Sequence, residues 1–134
     1  MTDAEDLRAI ETATAALLLA VNGRDVDRLL DVWAEDGVLM PPNHAAVHGR
    51  AAIEAYFRQL FQRAALEFEF TDSVIVVDGN IAIQRLTYTA EVWAGGSEIG
   101  FRDRGKGLHV YSRQPGGAWK LQLDIWNSDV PRAT

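Results

Sequence analysis

The chain has 134 residues, 48% of them apolar and 24% charged, which is the mix of one globular domain with a real core. It contains no cysteine, which excludes disulfide frameworks, thiol nucleophiles, zinc ribbons and iron–sulfur ligation and fits a reducing, cytoplasmic setting. Thirteen basic against nineteen acidic residues leave a net charge of −6, a poor footprint for nucleic acid or an anionic membrane.

The opening segment MTDAEDLR lacks the basic and apolar regions of a secretory signal, and no apolar run approaches the ~18 residues of a membrane span. Thr2-x-x-Glu5 forms a capping box, and Leu7, Ile10, Thr14, Leu17, Leu18 and Val21 follow at helical spacing. Asn22-Gly23 is expected to end this helix in the left-handed conformation both residues tolerate. Asp25 caps a short second helix with Val26, Leu29, Leu30 and Trp33 on its buried face. Gly37 to Met40 reads as a brief strand stopped by Pro41-Pro42, and Asn43 to His48 as a loop. Ile53, Tyr56, Phe57, Leu60 and Phe61 then define a third amphipathic helix, from Arg50 to about Arg63.

From Leu66 the period becomes two. Leu66–Val77, Ile81–Trp93, Phe101–Arg113 and Trp119–Trp126 read as strands, with Asp72-Ser73 able to bend or split the first. Their separators are Asp78-Gly79-Asn80, Gly95-Gly96 and Pro115-Gly116-Gly117. Three helices followed by hairpin-linked strands make a single α+β domain over residues 1–134, helices on one face of an antiparallel sheet.

The last hairpin carries the chemistry. With Gly116-Gly117 at its tip, His109 falls opposite Asp124, Tyr111 opposite Gln122, Arg113 opposite Lys120 and Gly107 opposite Trp126. Leu108–Ile125, Val110–Leu123 and Ser112–Leu121 form the other face, which reads as core. A carboxylate beside an imidazole fixes its tautomer and leaves the second ring nitrogen free to move a proton. The same pair could instead decorate a solvated outer face or a dimer contact, and a one-residue slip would exchange the faces. His44, His48 and His109 have no carboxylate at recognisable ligand spacing among them, so the loop histidines read as a polar lid or solvated turn rather than a metal site. Arg102-Asp103-Arg104 reads as an exposed charge cluster, and Gly105-x-Gly107 as turn or strand-packing glycines. No phosphate loop, G-x-G-x-x-G or G-x-S-x-G occurs, and no metal, nucleotide or flavin signature implies a cofactor. Among the aromatics, Trp33, Phe57 and Trp126 are the candidates to line a cavity.

Four segments, Trp33-Ala34-Glu35-Asp36-Gly37, Val47 to Ile53, Gly117 to Lys120 and Asp124 to Ser128, resemble the SnoaL-like and ketosteroid-isomerase-like branch of the nuclear transport factor 2-like superfamily. The resemblance covers nearly the whole chain. It implies a cone: three helices closed against a strongly curved antiparallel sheet, with an apolar pocket at one end. Its members include ketosteroid isomerases, polyketide cyclases, limonene epoxide hydrolases, dehydratases and non-catalytic binding or assembly domains, so fold does not fix function. The isomerase's base position is Met40 here, its oxyanion tyrosine about Ala16, and its oxyanion acid His109. The epoxide hydrolase's two acids fall at His109 and Asp124, and its arginine at about Gly107. The retained pocket pair is therefore His109–Asp124.

Two functional expectations follow. The first is a small-molecule pocket protein acting by proton transfer as an isomerase, cyclase or lyase on a small apolar carbonyl or hydroxyl compound. In it His109 is base or acid, Asp124 orients it, and Met40 sits at the pocket strand's end. Asn43, His44, Tyr88 and Tyr111 supply polar contacts. The alternative is a non-catalytic ligand-binding or dimeric assembly domain. Both expect a homodimer, with the strand positions Val74, Val76, Ile81 and Ile83 contributing.

Overall fold

The computed structural model describes residues 2–95 and 98–131; Gly96 of the expected Gly95-Gly96 separator lies outside them. Helix α1 (Asp3–Asn22) starts at the capping box, with Thr2 accepting from the Glu5 amide and Glu5 reaching back to the Thr2 amide. It buries Ile10, Leu17 and Ala20, whereas Leu7 of the expected stripe is largely exposed. Its end departs from expectation. Gly23 stays right-handed and Arg24 takes the positive φ of 52°. Asn22 instead clamps the helix to the sheet, its side chain donating to the Phe68 carbonyl (3.0 Å) and accepting from the Phe68 amide (2.8 Å).

Asp25 caps α2 (Val26–Val32) by accepting from the Arg28 amide. Trp33 belongs not to that helix but to strand β1 (Trp33–Met40), which is longer than the expected Gly37–Met40. Two residues of the expected loop, Val47–His48, pair with β1 as β2. Helix α3 (Arg50–Arg63) buries Ile53, Phe57 and Phe61. The long strands are β3 (Ala65–Asp78), β4 (Ile81–Trp93), β5 (Phe101–Arg113) and β6 (Trp119–Ser128).

These strands form one open six-stranded sheet in the order β2-β1-β6-β5-β4-β3. It is mixed rather than wholly antiparallel, because β1 runs parallel to β6 while every other neighbour is antiparallel. The chain leaves β1 through α3 and the β3–β4–β5 meander before β6 returns beside β1, and that long connection permits the parallel pairing.

Two irregularities decide which side chains face inward. In β3, Thr71 pairs with Thr87 and Val74 with Arg85, so Asp72 and Ser73 together oppose Leu86. Asp72 takes φ 51°, and the strand bends without splitting. Before the bulge Leu66, Phe68 and Phe70 face the helices; after it Ile75 and Val77 do. In β6, Gln122 is the extra residue: Val110 pairs with Leu123 but Tyr111 with Leu121, Ser112 with Lys120 and Arg113 with Trp119. The expected Tyr111–Gln122, Ser112–Leu121 and Arg113–Lys120 pairs are therefore displaced by one, while His109–Asp124 and Gly107–Trp126 hold. The bulge turns Trp119, Leu121 and Asp124 to the same side, which also receives His109 and Tyr111.

That side is the core. The face expected to be core, with Leu108–Ile125 and Val110–Leu123, is the outer one, where Leu108 is 40% exposed. On the inner face Ile10, Leu17, Phe57, Leu66, Ala82, Tyr111 and Leu121 form one buried cluster between helices and sheet.

Candidate functional site

A cavity of about 210 Å³ lies between the helices and the concave sheet. Leu17 and Leu18 of α1, Phe57 and Leu60 of α3, and Phe68, Phe70 and Leu86 of the sheet give it a largely apolar wall. His109 and Asp124 enter it from adjacent strands. His109 Nε2 lies 3.4 Å from Asp124 Oδ1, with the two side chains 4% and 14% exposed.

The other face of the imidazole is fixed by β4. Gln84 Oε1 sits 2.8 Å from His109 Nδ1, and Gln84 Nε2 donates to Ser73 Oγ at 2.9 Å. With the Gln84 oxygen turned to the ring and its amine to Ser73, Nδ1 is the donor of this bond. Thr14 Oγ1 also reaches Gln84 Oε1 (2.9 Å) and lies 2.8 Å from Tyr111 Oη. Edge contacts from Phe70 and Tyr111, with centroids 5.6 and 6.1 Å away, hold the ring plane. His109 thus has a set tautomer, with the Nε2 lone pair turned towards Asp124.

Burial controls where protons reside. With water excluded, the charged form of each group is disfavoured: the His109 imidazolium is pushed down to about 4 and the Asp124 carboxyl up to about 7. Between those values the pair is neutral, the proton on the carboxyl oxygen and the Nε2 lone pair facing it. A separation of 3.4 Å is longer than a formed hydrogen bond, as is common in sites that tighten when occupied. The neutral dyad can give the carboxyl proton and, once ionised, take one back.

The remaining expected site residues divide. Phe57, Tyr88 and Trp126 line the cavity. Tyr111 does not; it is fully buried behind His109, and burial raises its phenol far above the ordinary value. Trp33 is core, packed over Gly37, where a Cβ would fall 2.5 Å from its ring. Met40 lies on β1 opposite Ile125, away from the cavity wall. Asn43 is in the loop at φ 57°, and His44 is exposed, bonded to the Ala45 carbonyl and edge-on to Tyr56, a cavity residue. Neither Asn43 nor His44 lines the cavity, and β2 holds the end of their segment on the sheet edge beside β1. Among the described residues no three His, Cys, Asp or Glu side chains converge as metal ligands.

Gln84, Thr14 and Ser73 escaped the reading of the sequence. Gln84 had a visible signal: it is the one amide in the inward row Ala82, Gln84, Leu86, Tyr88, Ala90. Thr14 sits within an apolar helix stripe and gives no signal of its own. Asp103 lies between two arginines, yet alternation turns it inward onto the cavity while Arg102 and Arg104 are exposed.

Helices over an open, mostly antiparallel sheet enclosing an apolar cavity define the nuclear transport factor 2-like, cystatin-like class of fold. A ketosteroid isomerase-like protein from Erwinia carotovora atroseptica superposes with a TM-score of 0.82 at 21% identity, over 95% of this chain and 98% of that one. A protein proposed as a scytalone dehydratase from Novosphingobium aromaticivorans gives 0.84 at 15% identity, over 96% and 87%. A proposed dehydratase of the same superfamily from Streptomyces avermitilis gives 0.83 at 18% identity, over 95% and 99%. These likenesses establish fold alone. No curated protein matches the sequence. Residues 14–120 match the SnoaL-like domain family, and the chain belongs to it.

Proposed function

We propose that the protein is a cofactor-independent acid–base enzyme, an isomerase, cyclase or lyase acting on a small, largely apolar carbonyl or hydroxyl compound. The observation that carries this reading is a buried His109–Asp124 pair on a cavity wall, with its imidazole oriented from behind by Gln84. Gln84 performs the orienting role that the sequence suggested for Asp124. Asp124, with a carboxyl near neutrality, is the group that exchanges a proton with substrate, and His109 Nε2 shares that proton. In an isomerisation the ionised dyad takes a proton from carbon beside a carbonyl, the C–H electron pair moves into an enolate, and the same proton returns at another position. In a lyase step it is delivered to a departing hydroxyl, which leaves as water. The dehydratase and isomerase descriptions of the structural neighbours agree with this class of chemistry.

The test is deuterium exchange into 2-tetralone, a compact ketone with acidic C–H bonds, followed by NMR in D₂O. The wild type is expected to accelerate exchange at least ~100-fold over buffer, within the usual range of general acid–base catalysis, and Asp124→Asn and His109→Gln to abolish it. Exchange at the buffer rate, or unaltered by both substitutions, would overturn the reading.

The assembly reading is favoured by a separate observation, the apolar outer face on which Val74, Val76, Ile81, Ile83 and Leu108 are each more than 40% exposed or at that level. Val76 pairs with Ile83 and Ile83 with Val110, so the patch is continuous across three strands. We infer that a second copy of the chain covers it. This is compatible with catalysis, since the dyad faces the opposite side of the sheet.

A further inference from the structure

Strand β5 alternates Asp103, Gly105, Gly107 and His109 on its inner face. Asp103 and His109 are thus six positions apart, roughly 20 Å of extended strand, and both inner-face positions of β5 between them are glycines. The glycines are required. A Cβ on Gly105 would fall 2.1 Å from the Asn127 carbonyl and 2.7 Å from Tyr88 Oη, and one on Gly107 would fall 2.8 Å from the Ile125 carbonyl. Over Gly105 lies the Tyr88 hydroxyl, which donates to Asp103 Oδ2 at 2.9 Å, while Ser128 Oγ donates to Oδ1 at 2.5 Å. Tyr88 is 3% exposed, and burial with the neighbouring carboxylate raises its phenol well above the ordinary value, so it remains a donor. A carboxylate has about four acceptor positions, and these two bonds leave others open. Asp103, Tyr88 and Trp126 line the same cavity as the dyad.

We propose that Asp103, held by Tyr88 and Ser128, is a second polar anchor in the cavity, and that the natural ligand is an elongated molecule with a hydroxyl donor at the end distal to the group acted on by the dyad. This rests on reading the cavity as a ligand site but not on catalysis. The Tyr88 and Ser128 hydroxyl hydrogens are both spent on Asp103, so the anchor offers the ligand acceptors only; it selects a donor and rejects an ether or ketone at that end. Arg102 and Arg104 point outward and do not neutralise it from within the cavity.

The probes are 2-naphthol and 2-methoxynaphthalene, identical in ring but differing in the donor, titrated separately into ¹⁵N-labelled protein. Wild type is expected to bind 2-naphthol roughly tenfold more tightly, the scale of one hydrogen bond to a charged group, with the largest amide shifts at Gly105 and Ser128. Asp103→Asn should reduce the preference to within about twofold. Tyr88→Phe frees a carboxylate oxygen and should increase it, a sign that mere loosening of the fold would not produce. Equal binding of both probes, binding of neither, a preference that survives Asp103→Asn, or one abolished instead by His109→Gln would each overturn the proposal. The last outcome would place the hydroxyl at the dyad. Failure of the exchange assay with a retained donor preference would refute catalysis while leaving this anchor standing.

Discussion

At the residue scale, proton position is set by burial rather than by charge pairing. An exposed His–Asp pair would hold its proton on nitrogen; desolvation moves it to oxygen. This has an unusual consequence for stability. Asp124, raised, makes stability fall as pH rises from about 3.8 to about 7, whereas His109, lowered, makes it rise from about 4 to about 6.5. The two contributions oppose each other over nearly the same window, since folding moves the pair's single proton without changing their number. Asp124→Asn, which leaves only the histidine contribution, is therefore expected to make thermal stability rise with pH between about 4 and 6.5 relative to wild type. Melting curves across that interval check the sign; parallel wild-type and variant profiles would contradict it.

Between elements, one polar cluster ties the chain's beginning to its last hairpin. Asp6 of α1 accepts from Arg113 Nη2 at 2.7 Å and from Trp119 Nε1 at 3.1 Å, and the guanidinium lies 4.6 Å from the Trp119 ring centroid. The Arg113 bond holds the Asp6 carboxyl below its ordinary value. The stability it contributes is present above about pH 3.8 and is lost as pH falls through the lower folded value. Asp6→Asn should lower the melting temperature at pH 7 and narrow the difference from wild type on acidification; an equal deficit at pH 7 and pH 2 would contradict this. The β5 glycines act through sterics. Gly105→Ala must displace the Asn127 backbone as well as Tyr88 and is expected to cost about 1–3 kcal/mol in chemical denaturation, against a near-neutral result for Ala at the open Gly116.

Much of this level was legible in the sequence. The bounds of β4 and β5 and the span of α3 follow from periodicity and turn residues alone. The parallel β1–β6 pairing was not, because strand order depends on contacts between segments far apart in the chain. Nor was the Gln122 bulge, since nothing local marks Gln122 as unpaired. It leaves the His109–Asp124 pairing intact and puts Leu121 in the core while Leu123 pairs with Val110 on the outer face. Leu108 and Val110 read as core for another reason: alternation does not say which row faces inward, and theirs is the more apolar one. Gln84 and Asp103 were missed for a related reason: a polar residue on a strand acquires meaning only once its face is known.

For the whole molecule, the two sides of one sheet differ in character. The concave side carries the cavity and its two polar ends; the convex side presents Val76 and Ile83 to solvent. No helix among the described residues is long and apolar enough to cross a membrane. If a second copy covers the convex patch, Val76→Arg with Ile83→Arg should convert a dimer to a monomer in light scattering while tetralone exchange changes less than about threefold, because the substitutions point away from the cavity. A wild-type monomer at micromolar concentration would contradict that assembly. A neutral dyad with its imidazole proton held on Nδ1 by Gln84 has a distinct signature in ¹⁵N NMR of the histidine ring nitrogens at pH 5.5. The His109 ring is expected to be neutral, protonated at Nδ1 and bare at Nε2. An imidazolium protonated at both nitrogens, or a neutral ring carrying its proton on Nε2, would contradict it.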